Sequence, residues 1–322
     1  MDYKRLLTPG LLVVALQLLT SYAYGQHGTS TEKPNQKVIV ITGARACYSV
    51  IERWIDEYSK TNSSVQIVVE ARGSNDPQKY DILAELYEHP AEIRETRAYV
   101  NVGRYAVFPV ANATSAFAKI YAEEGLTRQH INQIFFHDIF ADKEKEKTIK
   151  APYTVYTRLQ KAGVPQVFSR YFGYEQKDIK GTGIAGADSH LIKALLRDST
   201  GITYLPTASI FQINGRVHEG LVVIPADLNG NNRISDDEKS IDRFDKVIDK
   251  IENASAADIK NVPVDYFHLS IDKKSAKADA VDFLKWVNEN GHKYLHEYGF
   301  LLPEPKRADK EKFNEFVSQK GR

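Results

Sequence analysis

The stretch of residues 37 to 61 constrains the fold more than any other part of the chain. It opens with a β-branched run at residues 37–42, typical of a buried strand, which Gly43 interrupts. After the turn, apolar residues recur at helical spacing: Val50, Ile51, Trp54, Ile55 and Tyr58. The sequence therefore predicts a strand, a tight glycine turn and a helix.

A turn of this kind can hold an anion. The N–H groups in the first turn of a helix lack intrahelical acceptors, and the helix dipole adds partial positive charge there. Arg45 lies in the turn, where its guanidinium could donate two bonds to a carboxylate, phosphate or sulfate. The local sequence by itself favours an ordinary strand–helix connection with a solvated Arg45, so the rest of the chain has to decide.

The length and net charge of the chain limit the number of domains and the kinds of partner that we expect. The 322 residues are too many for one ordinary core and predict two lobes or domains. The net charge of +1 gives no basic excess, so a nucleic-acid partner is not expected.

The N-terminus has the pattern of a secretory signal peptide. Lys4 and Arg5 precede an apolar run at residues 11–19, which is too short for a membrane span, and cleavage is expected after Gly25. We therefore expect residues 1–25 to be removed and residues 26–36 to form a flexible leader. The mature protein is expected to be periplasmic or secreted, without a transmembrane span.

The chain has a single cysteine, Cys47, so it cannot form an internal disulfide. Its position at a helix N-terminus can lower the pKa of a thiol, which makes a nucleophile conceivable. No histidine or asparagine stands in a recognisable partner motif, and this favours a small packed residue instead. Because no base–nucleophile pair can be assembled, the sequence does not predict an enzyme.

Two later strand ends supply further candidate ligand groups. The second predicted strand runs into a turn-rich loop that contains Arg72 and Ser74, although Arg72 is equally compatible with a surface charge. Another predicted strand is followed directly by Arg158. Two arginines at similar junctions, Arg45 and Arg158, are less easily explained as solvated side chains than one.

Residues 227–238 form the most specific local motif. Oxygen ligands stand at positions one, three, five, seven, nine and twelve of an EF-hand-like loop. These residues are Asp227, Asn229, Asn231, Arg233 (through its carbonyl), Ser235 and Glu238. Asn232 replaces the usual glycine and can adopt the left-handed conformation. With only two carboxylates, the motif predicts weak Ca²⁺ binding, suited to extracellular calcium; a metal-free Asn/Gly turn is the alternative.

A series of short segments carries a resemblance to a known family. They lie at residues 42–48, 105–112, 125–129, 134–135, 155–158, 171–173, 201–204, 220–230, 283–287 and 298–299. Their order and spacing resemble those of the periplasmic phosphate-binding proteins of ABC transporters, within the type II periplasmic binding protein superfamily.

The resemblance implies an α/β fold with two lobes joined by crossing strands and a ligand cleft between them. The first lobe is expected at residues 37–108 and 216–305 and the second at 109–215, with a charged tail at 306–322. The implied contacts to a tetrahedral oxyanion come from Gly43, Ala44, Arg45, Ala46, Cys47, Ser74 and Arg158. To these we add Arg72 as a candidate from the second loop.

Departures from the family pattern concentrate at the site. Ala44, Arg45 and Ala46 replace residues that usually include hydroxyls, the second loop is shortened to residues 73–77, and residues 159–163 replace a Ser-Gly-Thr-like stretch. The expected function is capture of phosphate or a similar oxyanion by a monomer that serves an ABC-type permease, with no required cofactor. The alternative is an envelope accessory or interaction module that has lost the phosphate pocket.

Overall fold

A mixed sheet organises the chain. The computed structural model describes residues 37–70, 76–88, 95–137, 149–161, 163–255, 258–304 and 308–320, with the backbone alone at 308–311 and 320. Within these ranges nine strands pair with one another. They are β1 (Lys37–Gly43), β2 (Val65–Val69), β3 (Ile82–Glu85), β4 (Arg97–Asn112), β5 (Thr154–Arg158), β6 (Thr182–Ile184), β7 (Gly201–Pro206), β8 (Leu221–Val223) and β9 (Val264–Asp272).

The strand order is β2-β1-β3-β9-β4-β7-β5-β6, and β8 pairs with β4 outside this path. β1 is parallel to β2 and β3, and β5 is parallel to β6 and β7, whereas every pairing of β4 or β9 is antiparallel. The alternation of strands and helices confirms the predicted α/β class.

β4 joins the two halves of the sheet. Its residues 97–106 pair with β9, and its residues 107–111 pair with β7. It is one continuous strand, with a bulge between Asn101 and Gly103. An added Cβ at Gly103 would lie 3.2 Å from the Leu301 carbonyl oxygen, so the glycine allows a neighbouring segment to approach the strand closely.

Ten helices lie within the described residues, and α1 follows the predicted periodicity. They are α1 (Tyr48–Ser59), α2 (Ala116–Glu124), α3 (Arg128–Phe135), α4 (Gly163–Phe172), α5 (Asp188–Arg197), α6 (Thr207–Ile210), α7 (Asp236–Lys239), α8 (Phe244–Val247), α9 (Ala278–Asn290) and α10 (Ala308–Lys320). Thr127 caps α3, because its hydroxyl accepts the His130 N–H at 3.3 Å.

α1 is anchored to the first half of the sheet by Trp54. The indole is fully buried and stacks on Phe267 of β9, with ring centroids 5.7 Å apart. Its N–H donates to the Gly291 carbonyl at 3.0 Å, so the buried polar group is satisfied. This packing fixes α1, and with it the turn that precedes the helix.

Aromatic packing holds the second half together. Phe168 of α4 stacks on Tyr204 of β7 at 4.1 Å and on Phe136 at 5.5 Å, and all three rings are fully buried. Stacked rings at these distances add to the stability gained from burial alone. The packing places α4 over β7, next to the end of β5.

Two segments differ from the predicted organisation. β8 was assigned to the first lobe, but it pairs with residues 110–112 of β4, in the half of the sheet that contains β7. The predicted tail contains α10, which packs against β4 and buries Phe313 and Phe316. Phenylalanines three residues apart lie on one helix face, which explains how a largely charged segment attaches to the fold.

Candidate functional site

The turn after β1 is held against β3. Gly43 has a φ of 131°, and a Cβ at this position would overlap the Ala84 carbonyl oxygen. The Ala44 N–H donates to that same oxygen at 2.8 Å. Only glycine permits this close approach, so the attachment of the turn to β3 requires a glycine at position 43.

Two main-chain donors in the turn are available. The Cys47 N–H donates to the Ala44 carbonyl at 3.0 Å, and the Tyr48 N–H donates to Arg45. Among the residues that the structure describes, the N–H groups of Arg45 and Ala46 have no acceptor. The Arg45 side chain is exposed. This arrangement provides the donors that an anion needs at the start of α1.

Cys47 is fully buried. Burial raises the pKa of its thiol well above the ordinary value, and the negative charge of Asp188 raises it further. The thiol therefore stays protonated at neutral pH and lacks the low pKa and access of a reactive cysteine. Its side chain packs in the core rather than contributing a nucleophile.

Arg158 at the end of β5 is bound to a carboxylate that the sequence analysis missed. Its Nη1 lies 2.7 Å from Oδ1 of Asp188, the first residue of α5. The second carboxylate oxygen accepts the Ser209 hydroxyl at 2.8 Å. The side chains of Arg158 and Asp188 are 21% and 13% exposed, so the pair is largely withdrawn from water. The buried Nε of Arg158 has no hydrogen-bond partner among the described residues.

Asp188 connects Arg158 to the first turn. The short helical turn Arg45–Cys47 contacts α6, which contains Ser209, and the charge of Asp188 acts on the Cys47 thiol. The turn and the Arg158 ion pair are thus linked indirectly, through α6 and Asp188. Whether these groups bind a ligand stays a prediction.

The segment after Arg158 also approaches the first half of the sheet. An added Cβ at Gly163 would lie 2.9 Å from the Tyr87 ring and 3.1 Å from the Leu86 carbonyl oxygen. The N-terminus of α4 is therefore close to the residues that follow β3. The remaining predicted contacts, Arg72 and Ser74, lie outside the described residues. The Tyr48 hydroxyl donates to the Glu70 carbonyl at 3.0 Å, just before that segment.

In the predicted calcium loop, the carboxylate oxygens expected to bind the ion accept hydrogen bonds from N–H groups of the loop itself. Oδ1 of Asp227 accepts the Gly230 N–H at 2.8 Å, and Oδ2 accepts the Asn232 N–H at 2.7 Å. Glu238 accepts the Leu228 N–H at 2.9 Å through Oε1, and its Oε2 accepts the N–H and the hydroxyl of Ser235, both at 2.8 Å.

Asn232 has a φ of 62°, which confirms the predicted left-handed conformation. The side-chain oxygens of Asn229 and Asn231 accept N–H groups two residues further on, at 3.0 and 2.8 Å. No group of three or more His, Cys, Asp or Glu side chains within the described ranges is placed to hold a metal. Calcium binding by the six predicted positions, including Arg233, stays a prediction.

A cavity of about 430 Å³ adjoins this loop. It is lined by Leu228, Asn229, Ser235, Asp237, Glu238, Ser240, Lys246, Asp249, Lys250 and Asp258. Within this lining, Lys250 is paired with Asp237 at 2.5 Å. The cavity lining shares no residue with the predicted anion site.

Comparison with known proteins identifies the fold. Neither a family model nor a curated protein matches the sequence. An ABC-type phosphate transport receptor from Vibrio cholerae has a similar structure, with 15% identity, coverage of 83% of this chain and 100% of the receptor, and a TM-score of 0.56. A putative phosphate ABC transporter substrate-binding protein from Clostridium perfringens, solved with bound phosphate, has 13% identity, the same coverage and a TM-score of 0.61.

These similarities show that the chain has a type II periplasmic binding protein-like fold. At such low identities they establish the architecture and leave the ligand to be argued from the site. In the described part of the chain, no helix has the length and apolar character needed to cross a membrane.

Proposed function

We propose that the protein is an extracytoplasmic solute-binding protein that captures phosphate or a similar oxyanion for an ABC-type uptake system. The observation that carries this proposal is the pair of N–H groups, on Arg45 and Ala46, that lack acceptors among the described residues. Their turn contacts α6, whose Ser209 donates to Asp188, the partner of Arg158. Main-chain donors at a helix start and a guanidinium are the groups that hold oxyanions in a water-poor cleft.

Binding would require Arg158 to exchange partners. The guanidinium now donates to Asp188, and an oxyanion seated on the Arg45 and Ala46 N–H groups would compete with that carboxylate. The exposed Arg45 side chain could supply further charge without a rearrangement of the fold. The protein acts as a monomer in this proposal and delivers its ligand without chemical change to a membrane permease.

A second candidate function is an envelope accessory or interaction module. It is favoured by the same ion pair, because Asp188 already compensates the charge of Arg158. The first turn also offers Ala44 and Ala46 where hydroxyls would strengthen anion binding. In this alternative the pair holds α5 to the end of β5 and no small ion is taken up.

Thermal unfolding distinguishes the two functions. The melting temperature is measured with phosphate, sulfate, tungstate and acetate, each with and without calcium. A ligand that binds only the folded state raises the melting temperature in proportion to log concentration above its Kd. The oxyanion-binding function predicts this rise, and the accessory function predicts no rise with any oxyanion.

Matched arginine variants make the assignment specific. Arg158→Gln should abolish the ligand-dependent rise. Arg197→Gln should leave it unchanged, because Arg197 is an exposed residue at the far end of α5. Equal loss in both variants would show that net charge, and not the Arg158 site, governs the effect.

A further inference from the structure

The cavity beside the predicted calcium loop contains a lysine whose charge is incompletely compensated. The side chain of Lys250 is 10% exposed, whereas that of Asp237, its partner, is 81% exposed. In the described part of the chain this is the one hydrogen bond of the Lys250 ammonium, which has three donors. A buried ammonium is costly unless its donors find acceptors. Lys250 lines the cavity, so its remaining donors can bond to a molecule that enters it.

The local backbone brings further charged groups to the same wall. α8 continues into a wide, π-type turn at Ile248–Glu252, a conformation that is frequent at functional sites. Lys246, Asp249 and Lys250 are three and four residues apart on this segment, and all three line the cavity. Lys246 and Asp249 are exposed, and over the described ranges neither side chain has a hydrogen bond or an ion pair. One cation and one anion therefore stand uncommitted beside Lys250.

The other two carboxylates of the lining already have donors. Both oxygens of Glu238 accept bonds from its own loop, as described above. Asp258 accepts the hydroxyl and the N–H of Ser255 at 2.6 and 3.2 Å. The lining contains four carboxylates and two ammonium groups, which leaves a net charge of −2. A simple oxyanion would be repelled, so an acceptor for Lys250 must arrive together with positive charge.

We propose that this cavity binds an α-amino acid, a cationic one by preference, through Lys250 and Asp249. Lys250 donates to the carboxylate with its remaining donors and keeps its bond to Asp237, while Asp249 accepts from the α-ammonium. The two charged groups of an α-amino acid are on one carbon, which matches two adjacent residues of opposite charge. A cationic side chain reduces the net negative charge of the lining further.

The size and position of the cavity agree with a small ligand. Its volume of about 430 Å³ lies in the range of about 300–1,000 Å³ typical of small-molecule sites. The lining shares no residue with the proposed oxyanion site. This second site therefore goes beyond the proposed function and does not depend on it. The competing explanation is a structural ion pair beside a cavity that holds only water.

Calorimetric titration of the full chain with three probes tests the assignment. The probes are L-lysine, cadaverine, which lacks the carboxylate, and L-glutamate, which adds a second negative charge. We expect L-lysine to bind at least about tenfold more tightly than either of the others, the effect of one charge-assisted bond. Phosphate is titrated in parallel as the probe of the oxyanion site.

Matched variants assign the effect to the cavity. Asp249→Asn should weaken L-lysine binding by at least about tenfold and leave the phosphate affinity within about threefold of wild type. Asp245→Asn is the control, because Asp245 is on the same helical segment but pairs with Arg243 outside the lining; its L-lysine affinity should stay within about threefold. Lys250→Met keeps an apolar stem without the donors and should remove the preference for L-lysine over cadaverine.

The outcomes decide between the two explanations. Absence of L-lysine binding at about 10 mM, or equal affinities for L-lysine and cadaverine, overturns the amino-acid site. Equal losses in Asp249→Asn and Asp245→Asn also overturn it, because overall charge would then govern binding. If Lys250→Met does not fold, the comparison of the two aspartate variants decides alone. Each of these results leaves oxyanion capture to the phosphate titration.

Discussion

The variant Asp188→Asn tests the role of the ion pair most sharply. In the structure, Asp188 accepts from Arg158 at 2.7 Å and from Ser209 at 2.8 Å. Arg158 must leave this carboxylate to reach an oxyanion, so the pair opposes ligand binding. An asparagine keeps the shape of the side chain and an acceptor for Ser209, but removes the charge that competes with the ligand. The variant should therefore bind phosphate more tightly than the wild-type protein.

The size of the effect follows from the strength of the pair. Hydrogen bonds that involve charged groups contribute about 1.5–3 kcal/mol. Since Arg158 and Asp188 retain 21% and 13% exposure, we take the lower end, about 1.5 kcal/mol, which corresponds to about tenfold tighter phosphate binding. The free energy of unfolding without ligand should fall by about 1–2 kcal/mol, because Arg158 loses its partner in a partly buried position.

Calorimetric titration with phosphate and urea unfolding measure the two quantities. Ser209→Ala is the matched control, since it removes the other bond to Asp188 without a change of charge; its phosphate affinity should stay within about threefold of wild type. Unchanged or weaker phosphate binding by Asp188→Asn would refute the idea that Asp188 competes for Arg158.

Three further predictions concern the turn, the pH dependence and the loop. Gly43→Ala should lower the free energy of unfolding in urea by more than about 3 kcal/mol, because the added Cβ clashes with Ala84. Gly173→Ala is the control: Gly173 has a φ of 91° but nothing near its added Cβ, so this variant should lower the free energy of unfolding by only about 1 kcal/mol. Burial raises the pKa of Asp265 to about 6 in the folded protein, from an ordinary value of 3.8. Between pH 3.8 and pH 6 the folded state therefore binds more protons than the unfolded state, so the free energy of unfolding falls as the pH rises through this range. Asp265→Asn should therefore be more stable than wild type at pH 7 by up to about 3 kcal/mol in urea unfolding, and a difference of the same size at pH 4 would contradict this sign. Millimolar calcium should raise the melting temperature more than magnesium does, and Asp227→Asn should remove the difference; an increment that survives in the variant would place calcium elsewhere.

The parts of the fold that the sequence predicted are those set by local patterns. The strand, turn and helix around Gly43 and the left-handed Asn232 depend on neighbouring residues, and the structure shows each of them. The single strand β4 and the attachment of α10 were not predicted. Both depend on contacts with distant segments, such as Leu301 against Gly103, that no local periodicity reveals.

The same distinction applies to the candidate site. Arg158 was identified because it follows a strand, but its partner Asp188 lies 30 residues away in sequence. An aspartate in the first turn of a helix is common for reasons of helix stability alone, so nothing in the sequence marked it. The raised pKa of Asp265 was hidden for a similar reason, since it comes from burial beside β4 and not from a motif.

The most direct test of oxyanion capture is a phosphate titration followed through the backbone amide resonances of the protein. The N–H groups of Arg45 and Ala46 should shift together, saturate at one phosphate per chain and move downfield as they gain an anionic acceptor, while the Arg158 side-chain resonances change in parallel. The proposal would be contradicted if these two amides stayed unchanged while phosphate shifted only scattered exposed lysines, or shifted no resonance at all.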